Sequence, residues 1–300
     1  MKYVHLNTAA SALLRSLSDA ALRHEEQRKK AQMETFRKYG SVPFRVVVIH
    51  GGPGAAGSVA PIARNLGQTR GVLEPLQTPT TLDGQIEELR LVVEHNATKP
   101  VIFIGHSWGA WLSALVTATY PELVRKLILV GSGPFEEHYV PKIAENRFKR
   151  LSPHEQEEYL HLVEMLDRSA APESAISLSR LGELTHKADS YDPIEIPNDT
   201  ADLDDIADPG EIYQGVWPKA AEMRETGELL RLVATITCPV IAIHGDCDPH
   251  PAAGIQQPLA ANLKDFRMIM LEKCGHTPWC ERHATERFYE ILEHELSAAQ

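Results

Sequence analysis

Pro100-Val101-Ile102-Phe103-Ile104-Gly105-His106-Ser107-Trp108-Gly109 is the stretch on which the fold turns. Its first half is a short apolar run rich in β-branched residues, the pattern of a buried strand. Gly105 to Gly109 form a Gly-x-Ser-x-Gly pentapeptide, and Ala110 to Tyr120 follow at once as a helix-compatible segment with Leu112, Ala114, Leu115 and Ala118. A serine at a sharp strand-to-helix turn is held clear of its neighbours, its hydroxyl at the carboxyl end of a parallel sheet. Flanking glycines leave room for such a strained turn. The pentapeptide alone is common; the strand before it and the helix after it make it specific.

A serine hydroxyl is a weak nucleophile at neutral pH and needs a base, normally a histidine oriented by a carboxylate. In a strand–turn–helix frame the chain order is serine, then acid, then histidine. Val240 to Ile243 read as a buried strand running into His244-Gly245-Asp246-Cys247-Asp248-Pro249, which offers two carboxylates on one turn. Arg267 to Leu271 read as another, followed by Glu272-Lys273-Cys274-Gly275-His276. Each candidate thus lies just past a strand end, where open α/β sheets bind ligands. Upstream, Arg45 to Ile49 lead into His50-Gly51-Gly52-Pro53-Gly54. A glycine-rich loop there can aim N–H groups at an oxygen that gains charge. Pro53 has no N–H to donate, which favours Gly52 with Gly51 second; the other donor is the N–H of Trp108, the residue after the nucleophile.

These four motifs, in this order, resemble the α/β-hydrolase superfamily, and His-Gly-Gly-Pro-Gly with Gly-x-Ser-Trp-Gly is most similar to its proline iminopeptidase branch. The resemblance spans roughly Arg45 to Leu296. It implies Asp248 rather than Asp246 as the acid, His276 as general base and Ser107 as nucleophile, with no cofactor and no metal. Two departures stand out. Relatives usually begin with an antiparallel strand pair, whereas Thr8 to Tyr39 here read as one or two helices ending at Arg37, Lys38 and Gly40. Relatives also carry an Asp-x-Arg-Gly turn where this chain has Glu74-Pro75-Leu76-Gln77.

The expected architecture is therefore α/β: a mostly parallel central sheet flanked by helices. Residues 1–44 form a helical amino-terminal segment in place of the usual first hairpin, residues 45–133 and 236–300 the core, and residues 134–235 a helical cap after the strand at 126–130. The amino-terminal helices offer a dimer surface and a cover for the sheet edge. The cap carries about 22 acidic against about 10 basic residues, enough for the whole negative excess of a chain with net charge −11. An acidic cap suits a substrate with a free amino terminus, as in iminopeptidase-like enzymes. Glu136, Glu137 and Glu145 open the cap and are candidate amine ligands, and Trp279 is a candidate pocket wall. A solvated acidic surface is the plainer expectation.

Composition narrows the field further. With 43% hydrophobic residues among 300, the chain can bury a full core. Its acidity argues against nucleic acid and anionic membranes as partners. No apolar run approaches a membrane span, and no secretory pattern opens the chain. Four cysteines at irregular spacing suit a reducing compartment, hence a cytoplasmic location. Cys247, Cys274, His276 and Cys280 match no standard zinc spacing. Three functions compete: an aminopeptidase-like hydrolase, a carboxylesterase or other small-acyl hydrolase, and a non-catalytic small-molecule-binding protein on the same fold.

Overall fold

The computed structural model describes residues 35–168, 173–196 and 208–297. Among these described residues, seven strands form one sheet in the order β1-β3-β2-β4-β5-β6-β7. They are β1 (Phe36–Tyr39), β2 (Phe44–Ile49), β3 (Gly71–Pro75), β4 (Val101–His106), β5 (Val124–Val130), β6 (Val240–Gly245) and β7 (Phe266–Leu271). All neighbours run parallel except β1, which pairs antiparallel with β3.

The apolar runs are continuous because both faces of the sheet are covered. Alternate residues enter two separate cores. Val47, Ile49, Val101, Phe103, Leu127, Leu129 and Val240 pack on one face. Val46, Val48, Ile102, Ile104, Ile128, Val130 and Ile241 pack on the other. Helices α1 (Ala60–Leu66) and α10 (Thr285–Ser297) cover the second face through residues such as Ile62, Leu66, Phe288 and Leu292. On the first lie α2 (Leu82–Asn96), α3 (Trp108–Thr119) and part of α9 (Ala253–Asn262). The side chain of Thr81 caps α2 by accepting the Gly84 N–H at 3.1 Å.

The amino-terminal expectation needs correction at its carboxyl end. Phe36 to Tyr39 form β1 and not the last turn of a helix. Pairing with β3, in register Phe36 with Pro75 and Tyr39 with Val72, outweighs local helical propensity. Burial of Phe36 and a 2.6 Å hydrogen bond from Tyr39 to the buried Glu74 hold the strand. One antiparallel edge strand thus occupies the place where a hairpin was expected to be missing. The helices expected before it, and the dimer surface assigned to them, fall on residues 8–34, outside the described residues.

Between β5 and β6 lie α4 (Val140–Phe148), α5 (Pro153–Arg168), α6 (Glu173–Asp189), α7 (Pro209–Glu225) and α8 (Glu228–Val233). This segment, expected as one cap, is built in two parts. Leu151, Leu162, Leu184 and Ala188 from α4–α6 and their connections make a small core of their own. By contrast, Ile212, Val216, Ala220, Met223, Leu229 and Val233 of α7 and α8 join the main core beside α3. Among the described residues, no helix is long and apolar enough to cross a membrane.

Candidate functional site

Ser107 sits between β4 and α3 at φ 53°, ψ −116°, a conformation that side chains rarely adopt. Two close approaches explain the glycines around it. A Cβ on Gly105 would overlap the Gly109 carbonyl oxygen, and one on Gly109 would overlap the carbonyl oxygens of both Ile49 and His50. The clashing atoms are backbone, so relief requires β2, β4 or α3 to move. Gly109→Ala is accordingly expected to lower stability by about 1–3 kcal/mol, measured as a fall in Tm. An unchanged melting curve would contradict this account of the elbow.

The downstream turns bring the acid and the imidazole together. His276 Nδ1–H donates to Asp248 Oδ2 at 2.8 Å. Asp248 is 7% exposed and its carboxylate fully buried. Asp246 does something else. Its Oδ1 accepts the backbone N–H of Cys274 at 3.1 Å, bracing the loop that carries His276. The two carboxylates left open by spacing are therefore separated by geometry.

Burial alone would raise the Asp248 pKa, but the charge of His276, then of His244 and His250, with a hydrogen bond from His250, holds it well below the usual carboxylate range. For His276, burial works toward a lower pKa. The charge of Asp248 and its hydrogen bond, with Asp189 beyond, outweigh both burial and the opposing charge of Arg147, so its pKa stands above the ordinary 6.5.

Ser107 and His276 meet through backbone neighbours. Ser107 N–H bonds the Val130 carbonyl at 2.9 Å, and at the next residue a Cβ on Gly131 would come within 3.1 Å of His276 Nδ1. His106, the residue before the serine, donates its Nε2–H to the His276 carbonyl at 3.1 Å, and the two rings lie 4.7 Å apart. Among the described residues no hydrogen bond joins Ser107 directly to His276; such pairs are often loose before a ligand tightens them.

The glycine loop closes the other side. A Cβ on Gly51 would reach within 3.0 Å of the Ser107 Cβ. Gly52 adopts φ 68° in the same loop. Trp108 opens α3, so its N–H has no carbonyl one helical turn earlier to bind. A buried amide chain joins these two parts. Gln77 Nε2 donates to the His50 carbonyl at 2.9 Å, Gln85 Nε2 to the Pro79 carbonyl at 3.1 Å, and the Trp108 indole to Gln85 Oε1 at 3.0 Å. Gln77 closes the Glu74-Pro75-Leu76-Gln77 stretch, and its bond to the glycine loop gives that stretch a structural role. His50 and His244 brace loops as well, His50 against the carbonyls of Gly51 and Leu76 and His244 against that of His250.

The remaining candidates have partners of their own or stand apart from the hydrogen bonds above. Glu137 pairs with Arg224 at 2.7 Å, and Glu145 is exposed and pairs with Lys142 at 2.6 Å. Glu136 is half-buried just before the 3-10 turn at 137–139. Trp279 is buried, edge-on to His106 and packed against Phe288, so it supports the elbow from the core. Asp248, His250 and His276 are the group of metal-capable side chains among the described residues, their ligand atoms within 4.8 Å of one another. In this structure both imidazole Nδ1 atoms are engaged with the carboxylate.

Three residues of the site escape a reading of the sequence. His250 donates Nδ1–H to Asp248 Oδ1 at 2.7 Å. Its i+2 spacing from Asp248 is a usable signal, because aspartate side chains commonly accept the N–H two residues on. Asp189, ion-paired with Arg147, lends its carbonyl to the His276 N–H at 2.8 Å. Buried Glu281 accepts the N–H groups of Gly275, Tyr191 and Asp192 at 2.8–3.0 Å, clamping the insertion onto the His276 loop. Neither of these last two has a local signature.

The profile of the alpha/beta hydrolase family matches residues 46–291, most of the chain. The chain belongs to that family. Among solved structures this alpha/beta hydrolase is similar to VinJ, at TM-score 0.63 and 20% identity over 88% of this chain and 94% of that one. It is also similar to the proline iminopeptidase of Mycobacterium smegmatis, at TM-score 0.54 and 17% identity over 88% and 95%. A third is the 2-hydroxy-6-oxo-6-phenylhexa-2,4-dienoate hydrolase of Rhodococcus sp. strain RHA1, at TM-score 0.56 and 19% identity over 86% and 92%. At such identities the likeness is one of fold. No curated protein sequence matches the chain.

Proposed function

We propose that this alpha/beta hydrolase is a serine hydrolase that cleaves an ester or amide through an acyl-enzyme. Ser107 is the nucleophile, His276 the general base and Asp248 the acid that orients it. The observation that carries this is the 2.8 Å bond from His276 Nδ1 to a buried Asp248, next to a serine held at φ 53° on a strand-to-helix elbow. With Nδ1–H committed to Asp248, Nε2 is left to take the Ser107 proton as the hydroxyl attacks a carbonyl carbon. The imidazolium formed is stabilised by Asp248 and returns the proton to the leaving group. N–H groups of Gly52 and Trp108 receive the oxyanion, each worth roughly 3 kcal/mol of barrier. Water, deprotonated by the same imidazole, then releases the acid. No step calls for a metal or cofactor.

Small-acyl esters suit the insertion best, because Glu137 and Glu145, two of the carboxylates that would hold a substrate amine, are already matched by Arg224 and Lys142. An aminoacyl substrate is favoured instead by the His50 to Gly54 loop with Trp108, and by the likeness of fold to a proline iminopeptidase. In either case the part of the insertion with its own small core, α4–α6, serves as the cap over the site, and four free thiols fit a cytoplasmic location. Rates on short-chain aryl esters against alanyl and prolyl arylamides separate the two substrate classes. A serine-reactive fluorophosphonate tests the chemistry itself. Failure to label Ser107 would leave a binding protein on a hydrolase fold.

His276 must be neutral to accept a proton, so activity is lost as pH falls through its pKa. Because Asp248 raises that pKa, the acid limb of kcat/KM is expected to have its midpoint above 6.5. A midpoint at or below 6.5 would contradict the Asp248 assignment.

A further inference from the structure

Asp248 serves two imidazoles. Oδ2 accepts His276 Nδ1–H, while Oδ1 accepts both Nδ1–H and backbone N–H of His250, at 2.7 and 2.9 Å. The His250 ring lies on that of His276, with centroids 4.5 Å apart and planes 29° from parallel. His250 is itself anchored, since its carbonyl accepts His244 Nε2–H at 2.8 Å and the following Pro251 leads into α9. One carboxylate rotamer and one imidazole plane are therefore fixed by a side chain that the proposed mechanism does not use. An exposed residue at 250 would leave Oδ1 with a backbone donor alone and the outer face of His276 uncovered.

We propose that His250 is a positioning residue, whose Nδ1–H locks the Asp248 carboxylate toward His276 and whose ring holds the His276 imidazole in the plane set by its Nδ1–H bond to Asp248. This rests on the serine-hydrolase assignment for its kinetic consequence, though not for its geometry. His250 and His276 are then both Nδ1–H tautomers at neutral pH, paired to one anion. The charged and titratable groups that face His250 are Asp248 and His244 on its own turn, His276 after β7, His106 at the elbow and Arg147 on α4. Burial and the neighbouring His276 work toward a neutral His250, against the pull of Asp248. A neutral ring donates one hydrogen bond without adding a second cation beside the base.

Two measurements decide the matter. The first needs no substrate: long-range 15N–1H correlation spectra of histidine-labelled protein report the tautomer of each ring. Nδ1–H tautomers are expected for both His250 and His276, the first signal disappearing in His250→Asn and the second persisting. An Nε2–H tautomer for His250 would overturn the proposal whatever the enzyme hydrolyses. The second compares pH profiles for His250→Ala and His250→Asn, whose side-chain amide nitrogen can occupy the place of Nδ1. Alanine is expected to lower kcat by on the order of 10- to 100-fold with KM little changed. It is also expected to move the acid limb upward by about one pH unit, because Asp248 then spends its charge on His276 alone. Asparagine should restore the limb and most of kcat. Equal damage in both variants with an unmoved limb would reduce His250 to a packing residue. Should the alanine variant fail to fold, the asparagine profile and the tautomer spectra still decide.

Discussion

Ser107→Ala is expected to remove turnover by a factor on the order of 10⁴ or more while leaving the fold intact. Removing one member of a nucleophile–base–acid unit leaves only the rate supplied by oxyanion donors and binding. The fold should not suffer, because among the described residues the Ser107 hydroxyl contributes no hydrogen bond to the elbow. That conformation is imposed instead by Gly105, Gly109 and the Ser107 N–H to Val130 bond. Active-site labelling with a fluorophosphonate should vanish in the same variant, and Tm should stay near the parent value. Substantial residual hydrolysis with the parent pH profile would move the chemistry to another residue.

Asp248→Asn is expected to cost about 10⁴-fold in kcat, from precedent for an amide in place of the orienting carboxylate. An amide at Oδ2 either donates toward Nδ1 or accepts weakly from it, so His276 loses both its tautomer preference and the charge that stabilises its cation. Asp246→Asn only weakens the brace at the Cys274 N–H, 3.1 Å away, and should cost less than about tenfold, because an amide oxygen can still accept that bond. Parallel kcat measurements on the two variants rank them directly. The reverse ranking would make Asp246 the orienting acid and leave the Asp248–His276 bond without catalytic meaning.

Much of this organisation is legible locally. Runs such as Val101 to Ile104 and Val240 to Ile243 are apolar without alternation because each residue meets one of two cores, and that pattern survives in the sequence as composition. The elbow is equally readable, since two glycines and a serine at fixed offsets meet a backbone constraint. Phe36 to Tyr39 mislead because four residues carry little periodicity, and the charged Arg37-Lys38 pair mimics a helix end. Their strand exists only because β3 offers an unpaired edge. Glu137 resembles a ligand for a substrate amine for a similar reason. Nothing near Glu137 in the chain announces Arg224, which also stacks over Trp111 and Trp217.

The amino-acid sequence by itself determined the strand–turn–helix frame around Ser107, the strand-end turns that carry Asp248 and His276, and the glycine loop at 50–54, because each is written in a few neighbouring residues. Only the tertiary structure decided which of Asp246 and Asp248 meets the imidazole, that His250 shares that carboxylate, and that Asp189 and Glu281 fasten the insertion to the His276 loop. Apart from the Asp248–His250 contact within one turn, those contacts join residues carried by different strands and helices, and Asp246 and Asp248, two positions apart on that turn, point in different directions. For the long-range pairs, separation along the chain therefore carries no information about which of them touch.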